Sequence, residues 1–244
     1  MHALSAAELL DVWERGLTQS ATQRALTLLG AACPEISQES LTSLSVGDRD
    51  ARLMTLREWT FGPQLIGIAT CVNCCARLEL TLNSTDLASS QPPAAEQSFS
   101  LSVDDYELNF RLPNSSDLTE LAACRDLVEG KRLLLERCIS SVEHQGEQTA
   151  IEGLPAAVIA GVVEQMGRID KSGDVRLDLN CSQCGGGSQT IFDIESFFWK
   201  EINAWANRIL REVHALASAY GWSEIDVLNM TAWRRQAYLS LIGS

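Results

Sequence analysis

Positive charge is scarce in this chain: 19 lysines and arginines stand against 32 aspartates and glutamates, a formal net charge of −13. Such a surface repels a phosphate backbone, and nonspecific nucleic-acid binding loses the attraction it depends on, so nucleic acid is excluded as an expected partner. Long apolar runs are missing as well. No stretch reaches the roughly 18 residues that mark a membrane-spanning helix, and the opening residues 1–11 carry acids where a secretion signal needs a basic start. A soluble, cytoplasmic chain away from membranes is expected. Histidine is reduced to three residues: His2 at a terminus, His144 in a polar Glu-His-Gln-Gly loop and His214 within a helical pattern, none with the setting of a general base. Neither a phosphate-cradling glycine loop nor a nucleophile elbow occurs, and no repeat of solenoid period is present. The expectation is a protein that is not an enzyme.

What remains is ample for a folded core. The chain has 244 residues, 45% of them hydrophobic. From Ser5 to Gly30 apolar residues recur at helical spacing, with Ser5 and Glu8 forming a capping box, which predicts one opening helix. A second helix over residues 49–59 ends at Gly62-Pro63. Alternating runs at 65–69 and 77–82 then predict a hairpin with cysteines at its tip, and 175–179 with 190–194 repeat the pattern. Between these units, residues 88–95 have linker composition. Strands follow around Asp104-Asp105, then helical runs from Ser116-Asp117 to Cys138 and beyond Pro155. The final stretch is helical: one long amphipathic helix to Gly221, a short one capped by Ser223 and Asp226, and a last one from Thr231.

The eight cysteines carry the chemical signal. In a reducing compartment they read as ligands and core residues, not as a disulfide framework. Zinc takes four thiolates in a tetrahedron, and a C-x-x-C pair at a hairpin tip supplies two of them. Cys71-Val72-Asn73-Cys74 and Cys181-Ser182-Gln183-Cys184 together complete such a site, with Gly185 to Gly187 giving the second turn backbone freedom. The pairs stand 106 residues apart, against about 15 to 20 in a compact zinc ribbon. Lengthening the loop fivefold costs only about 1.5 kcal/mol, set against roughly 10 to 16 kcal/mol of apparent zinc binding in small structural sites. Two unrelated pairs of buried cysteines, or one redox-active pair, are the competing readings, and Cys75 competes with Cys74 as a ligand. Cys33, Cys124 and Cys138 fall at apolar helical positions and are expected in cores. A site of four cysteines is closed to water, which makes its zinc structural, not hydrolytic.

Four of the six tryptophans, Trp199, Trp205, Trp222 and Trp233, fall in the last 50 residues. Core packing accounts for them in one reading; in the other, Trp222, Trp233, Arg234 and Arg235 form a protein-docking surface. The arginine pair also suits the negative end of a helix.

Several stretches resemble a known family. Asp48-Arg49-Asp50-Ala51-Arg52-Leu53-Met54 through Trp59-Thr60-Phe61-Gly62, followed by a C-x-x-C pair, is similar to baseplate proteins of contractile phage tails, specifically the T4-type baseplate hub assembly chaperones. Phe110-Arg111-Leu112-Pro113-Asn114-Ser115-Ser116-Asp117-Leu118, the Cys181 knuckle running into Phe192-Asp193-Ile194, and residues 214–224 and 233–239 resemble proteins of phage-tail-like contractile injection systems. Val72, Cys75 and Ser182 depart from the family's usual C-P-x-C-G knuckle, but all four ligand positions remain.

The resemblance implies help in building, or membership of, the baseplate of an injection machine, with baseplate or hub proteins as partners. A cargo adaptor for the same machine is the alternative, and a thiol or zinc enzyme is the alternative from another class. The expected fold is α+β, with helical terminal regions around a split zinc-ribbon-like pair of hairpins and an inserted mixed segment. In residue numbers this gives 1–62 helical, 63–87 the first half of the knuckle unit, 88–171 the insertion, 172–195 the second half, and 196–244 the C-terminal helices.

Overall fold

The computed structural model describes residues 1–87 and 98–242; the linker-like run at 88–95 lies outside the described residues. The fold is α+β, and the chain divides into two compact units: residues 1–36 with 194–244, and residues 37–193. The second unit is thus inserted into the sequence of the first.

The single opening helix expected over 5–30 is two helices, α1 (Ala6–Gly16) and α2 (Ala21–Ala32). Apolar spacing runs through both, but Ser20 and Gln23 make a capping box as complete as that of Ser5 and Glu8, so the chain turns and restarts. The guanidinium of Arg24 donates from Nε to the Gly16 carbonyl at 2.7 Å and secures that turn.

Within residues 37–193, a short helix α3 (Gln38–Ser43) leads to α4 (Val46–Phe61), which stops at Gly62 with φ of 88°. Strands β1 (Gln64–Thr70) and β2 (Arg77–Asn83) form the first antiparallel hairpin, and α5 (Ser84–Leu87) follows. Strands β3 (Phe99–Val103) and β4 (Tyr106–Phe110) turn at Asp104-Asp105 as expected.

The helical run predicted from Ser116 to Cys138 is again two elements, α6 (Ser115–Leu121) and α7 (Leu127–Cys138), with Asn114 as the cap of the first. The chain then enters β5 (Ile139–His144) and β6 (Glu147–Gln148), giving an antiparallel sheet of order β3-β4-β5-β6. Helix α8 (Ala156–Ile169) buries Val158 and Val162 against Leu108, Phe110 and Val142 of that sheet. A 3-10 turn at Lys171–Gly173 delivers the chain to the second hairpin, β7 (Arg176–Asn180) and β8 (Gly187–Ile191).

Helix α9 (Ile194–Tyr220), α10 (Glu224–Leu228) and α11 (Ala232–Ile242) return to the unit begun by α1 and α2. Its core joins Leu10 to Ala206, Ile209, Val213, Leu216, Val227 and Leu228, with Trp13, Trp205, Trp222 and Tyr238 around it. A methyl group on Gly16 would meet the Trp199 ring at 2.2 Å, so this glycine is what admits the indole. No helix among the described residues is long and apolar enough to cross a membrane.

Candidate metal centre

The two C-x-x-C turns are built alike. Cys71 donates its amide to the Ala76 carbonyl at 2.9 Å and accepts from the Cys75 amide at 3.0 Å; Cys181 does the same with Gly186 at 3.0 Å and Gly185 at 2.9 Å. In each, the residue after the second cysteine has positive φ, 58° at Cys75 and 69° at Gly185. Cys75 therefore occupies the left-handed position that glycine fills in the other turn, and it stands outside the cluster of four sulfurs. Of the two candidate ligands in the first turn, the structure brings in Cys74.

Long-range packing brings the turns together. Leu78 and Leu179, on the facing sides of the two hairpins, are buried with Cys71 and Cys181. At the tips, a methyl on Gly186 would lie 2.2 Å from the Asn73 amide group, so the bare second turn is what lets that side chain lie across it. The sulfurs of Cys71, Cys74, Cys181 and Cys184 all lie within 4.8 Å of one another, with Cys71 to Cys184 at 3.7 Å and Cys74 to Cys181 at 3.6 Å. A tetrahedral site with metal–sulfur bonds of about 2.3 Å has edges of about 3.8 Å. These four cysteines can hold a metal ion, and the arrangement fits a zinc-ribbon-like site.

The electrostatics suit a cation. Amides of Cys74 and Asn73 point at the Cys71 sulfur and pull its thiol down to about 6; those of Cys184 and Gln183 lower Cys181 in the same way. Cys74 accepts from the Ala76 amide, which favours its thiolate, but the crowding sulfurs, Cys184 foremost, outweigh this and push its thiol up to about 12. One or two thiolates form readily while the full set repels itself, and a divalent ion removes that repulsion. Cys71 and Cys181 are buried, whereas Cys74 and Cys184 face water.

A family model described as T4 bacteriophage base plate protein matches residues 8–199. The chain belongs to that family. No curated protein and no solved structure matches it. The region shared with this baseplate family contains both cysteine pairs and everything between them, and it ends just inside α9. A phage baseplate role is what that membership supports.

Two of the C-terminal residues singled out by sequence, Trp222 and Arg234, meet at the Tyr238 ring. Trp233 is 81% exposed and Arg234 is exposed above the Tyr238 ring, but Trp222 is half-buried and stacks on Tyr220 at 4.5 Å. Arg235 turns inward, donating from Nε to Glu212 at 3.1 Å and to the Met230 carbonyl at 2.6 Å. Of the other cysteines, Cys33 and Cys138 are buried and Cys124 is half-buried.

Charged residues inside the baseplate-like region went unread as core elements. Arg57 is buried and donates to the carbonyls of Gly62 and Gln64, fastening α4 to β1. Arg49, also buried, reaches Ser115 at 3.3 Å. Asp117 is fully buried and receives Arg111 at 2.6 and 2.8 Å and Arg137 at 2.7 Å. Asp170 accepts the Gly47 amide at 2.9 Å at the start of α4, where a methyl on Gly47 would strike it at 1.6 Å. Burial raises the Asp170 carboxyl above its ordinary value, and burial together with the Asp170 charge does the same for Asp48. For Arg49, Arg57 and Asp117 the signal was their placement in the two stretches, 48–62 and 110–118, that resemble the family; Arg137 and Asp170 carried none.

Proposed function

We propose that the four cysteines hold one structural zinc ion, and that the chain acts without catalysis in the assembly of a phage-type baseplate or as a minor subunit of it. The family match over residues 8–199 carries the baseplate setting. The all-thiolate donor set, which leaves no coordination position for a substrate, supports a structural metal. In this reading Cys71, Cys74, Cys181 and Cys184 are the ligands. Zinc fastens the two hairpins, and the surfaces they carry are presented rigidly to baseplate or hub proteins. Fixing those surfaces before a partner arrives lowers the ordering cost of association.

The test is sedimentation of intact particles from producing cells, with quantification of this chain in pellet and supernatant and zinc analysis of the purified protein. Stoichiometric recovery in the particle gives a subunit. Recovery only in the soluble pool together with a hub or baseplate protein gives an assembly chaperone. Absence from both, or a purified chain without zinc, overturns the corresponding part of the reading.

A further inference from the structure

The second hairpin leaves the outer edge of β7 open. Val175 accepts from the Phe192 amide at 2.8 Å and Cys181 donates to Gly186 at 3.0 Å, so in the register Arg176↔Ile191 to Asn180↔Gly187 the hydrogen-bonded pairs fall on the odd residues of β7. Antiparallel alternation then turns the amides and carbonyls of Arg176, Asp178 and Asn180 away from β8. The sheet has two strands only, and among the described residues no backbone bond is made to those outward groups. An open edge of this kind is a template for a further strand.

The same edge overlooks a groove. Residues 175–179 form one wall of a cavity of about 550 Å³, and Leu80 and Leu82 of β2 line it from the other hairpin. Leu177 and Leu80 are half-buried there, leaving apolar surface for alternate side chains of an added strand. The rim is acidic. Arg176 is paired with Asp174 at 2.8 Å, whereas Asp178 accepts from the neutral Gln189 amide at 3.0 Å and Asp86 from the Asn83 amide at 3.2 Å, so among the lining residues only Lys171 is left to balance their two charges. Residues 37–193 carry 23 acidic against 12 basic side chains, so −11 of the chain's −13 belongs to the unit that holds this groove.

We infer that the outer edge of β7 binds an extended segment of a partner protein as an added antiparallel or parallel strand, one whose alternate residues are aliphatic and basic. Its backbone pairs with Arg176, Asp178 and Asn180, its aliphatic side chains enter the leucine-lined groove, and its lysines or arginines meet Asp86 and Asp178. Charge decides between occupants: a second copy of this chain brings further negative charge to an acidic rim, whereas a basic segment neutralises it. The inference rests on the baseplate reading only for which protein supplies the segment.

The test titrates the zinc-loaded full chain, labelled with nitrogen-15, with a capped six-residue peptide of alternating valine and lysine and with its valine–glutamate counterpart. The basic peptide is expected to bind at least tenfold more tightly and to shift and protect the amides of Arg176, Asp178 and Asn180. Asp178→Lys should remove that preference. Asp178→Pro, which deletes an outward-facing amide along with the carboxylate, should abolish binding of both peptides where Asp178→Asn, which keeps the amide, only weakens the basic one, with circular dichroism unchanged; if the proline variant misfolds, the lysine variant decides. Equal affinity for both peptides, or shifts that avoid β7, overturns the inference. Concentration-dependent self-association protecting the same amides also overturns it, assigning the edge to a second copy. Particle sedimentation tests the baseplate role separately, so the two can fail independently.

Discussion

Replacing Asp117 by asparagine should cost the inserted unit stability in a way that depends on pH. Burial alone would raise this carboxyl, but Arg111, the Asn114 amide and Arg137 outweigh it and hold it at about 2. An unfolded aspartate titrates near about 3.9, so the folded state gains from ionisation, and the gain is present above pH 4 and lost as pH falls through 2. The full shift corresponds to about 2.6 kcal/mol at most. Because the side chains of Arg111 and Arg137 are 34% and 32% exposed, solvent screening reduces this to on the order of 1 to 2 kcal/mol. Loss of the charge-assisted hydrogen bonds in Asp117→Asn brings the total at pH 6 to about 2 to 3 kcal/mol.

Urea unfolding of wild type and variant at pH 6, 4 and 2.5, followed by hydrogen exchange in residues 105–142, measures the difference. It should shrink by about 1 kcal/mol between pH 6 and pH 2.5. Acid release of a bound metal lowers both proteins equally and drops out of the comparison, as effects at separate sites add. Asp48 and Asp170, whose carboxyls are raised, work in the opposite direction in both proteins: their contribution falls as pH rises through their folded values. A penalty for Asp117→Asn that is the same at all three pH values would refute the ion-pair account.

Cys75→Gly should stabilise the chain by about 1 kcal/mol by relieving a side chain from the left-handed region, with zinc stoichiometry unchanged; a lost zinc would make Cys75 a ligand after all. Chelation at neutral pH, or Cys181→Ser, should expose both hairpins to proteolysis and lower the melting temperature, and an unaltered melt after verified metal removal would count against the structural role. Gly16→Ala should destabilise the helical unit by about 1 to 3 kcal/mol because the methyl meets the Trp199 ring, read as a lower urea midpoint. Glu212→Gln should cost on the order of 3 kcal/mol, since it leaves Arg235 buried against a neutral partner; a change below about 0.5 kcal/mol would show the pair to be inert.

Local chemistry was legible in the sequence, and long-range geometry was not. The capping boxes at Ser5 and Ser223, the stop at Gly62, both knuckle hairpins and the two cysteines of each C-x-x-C turn follow from residues close together in the chain. The break between α1 and α2 escaped because Leu17 continues the helical spacing, although Ser20 and Gln23 announced it. Strand β5 was hidden for a different reason. Ile139 and Val142 extend the apolar series of α7, and only pairing with β4, some thirty residues earlier, makes them a strand. The inward turn of Arg49, Arg57, Asp117 and Arg235 was invisible because a charged residue is ordinarily a surface residue; each becomes a core residue only through partners distant in sequence or around a helix end.

The cysteine cluster also has a mechanical meaning for the unit of residues 37–193 that contains it. With a metal bound, tension applied to the two ends of the chain runs through residue 71, across the thiolate bonds, and out through residue 181. The residues between the cysteine pairs lie off this covalent path and feel the pull only through their side contacts to α4, such as Arg49 to Ser115 and the Gly47 amide to Asp170. Stretching in an optical trap should therefore lengthen the chain between the cysteine pairs only after the metal–sulfur bonds rupture, a late step that metal-free protein should lack.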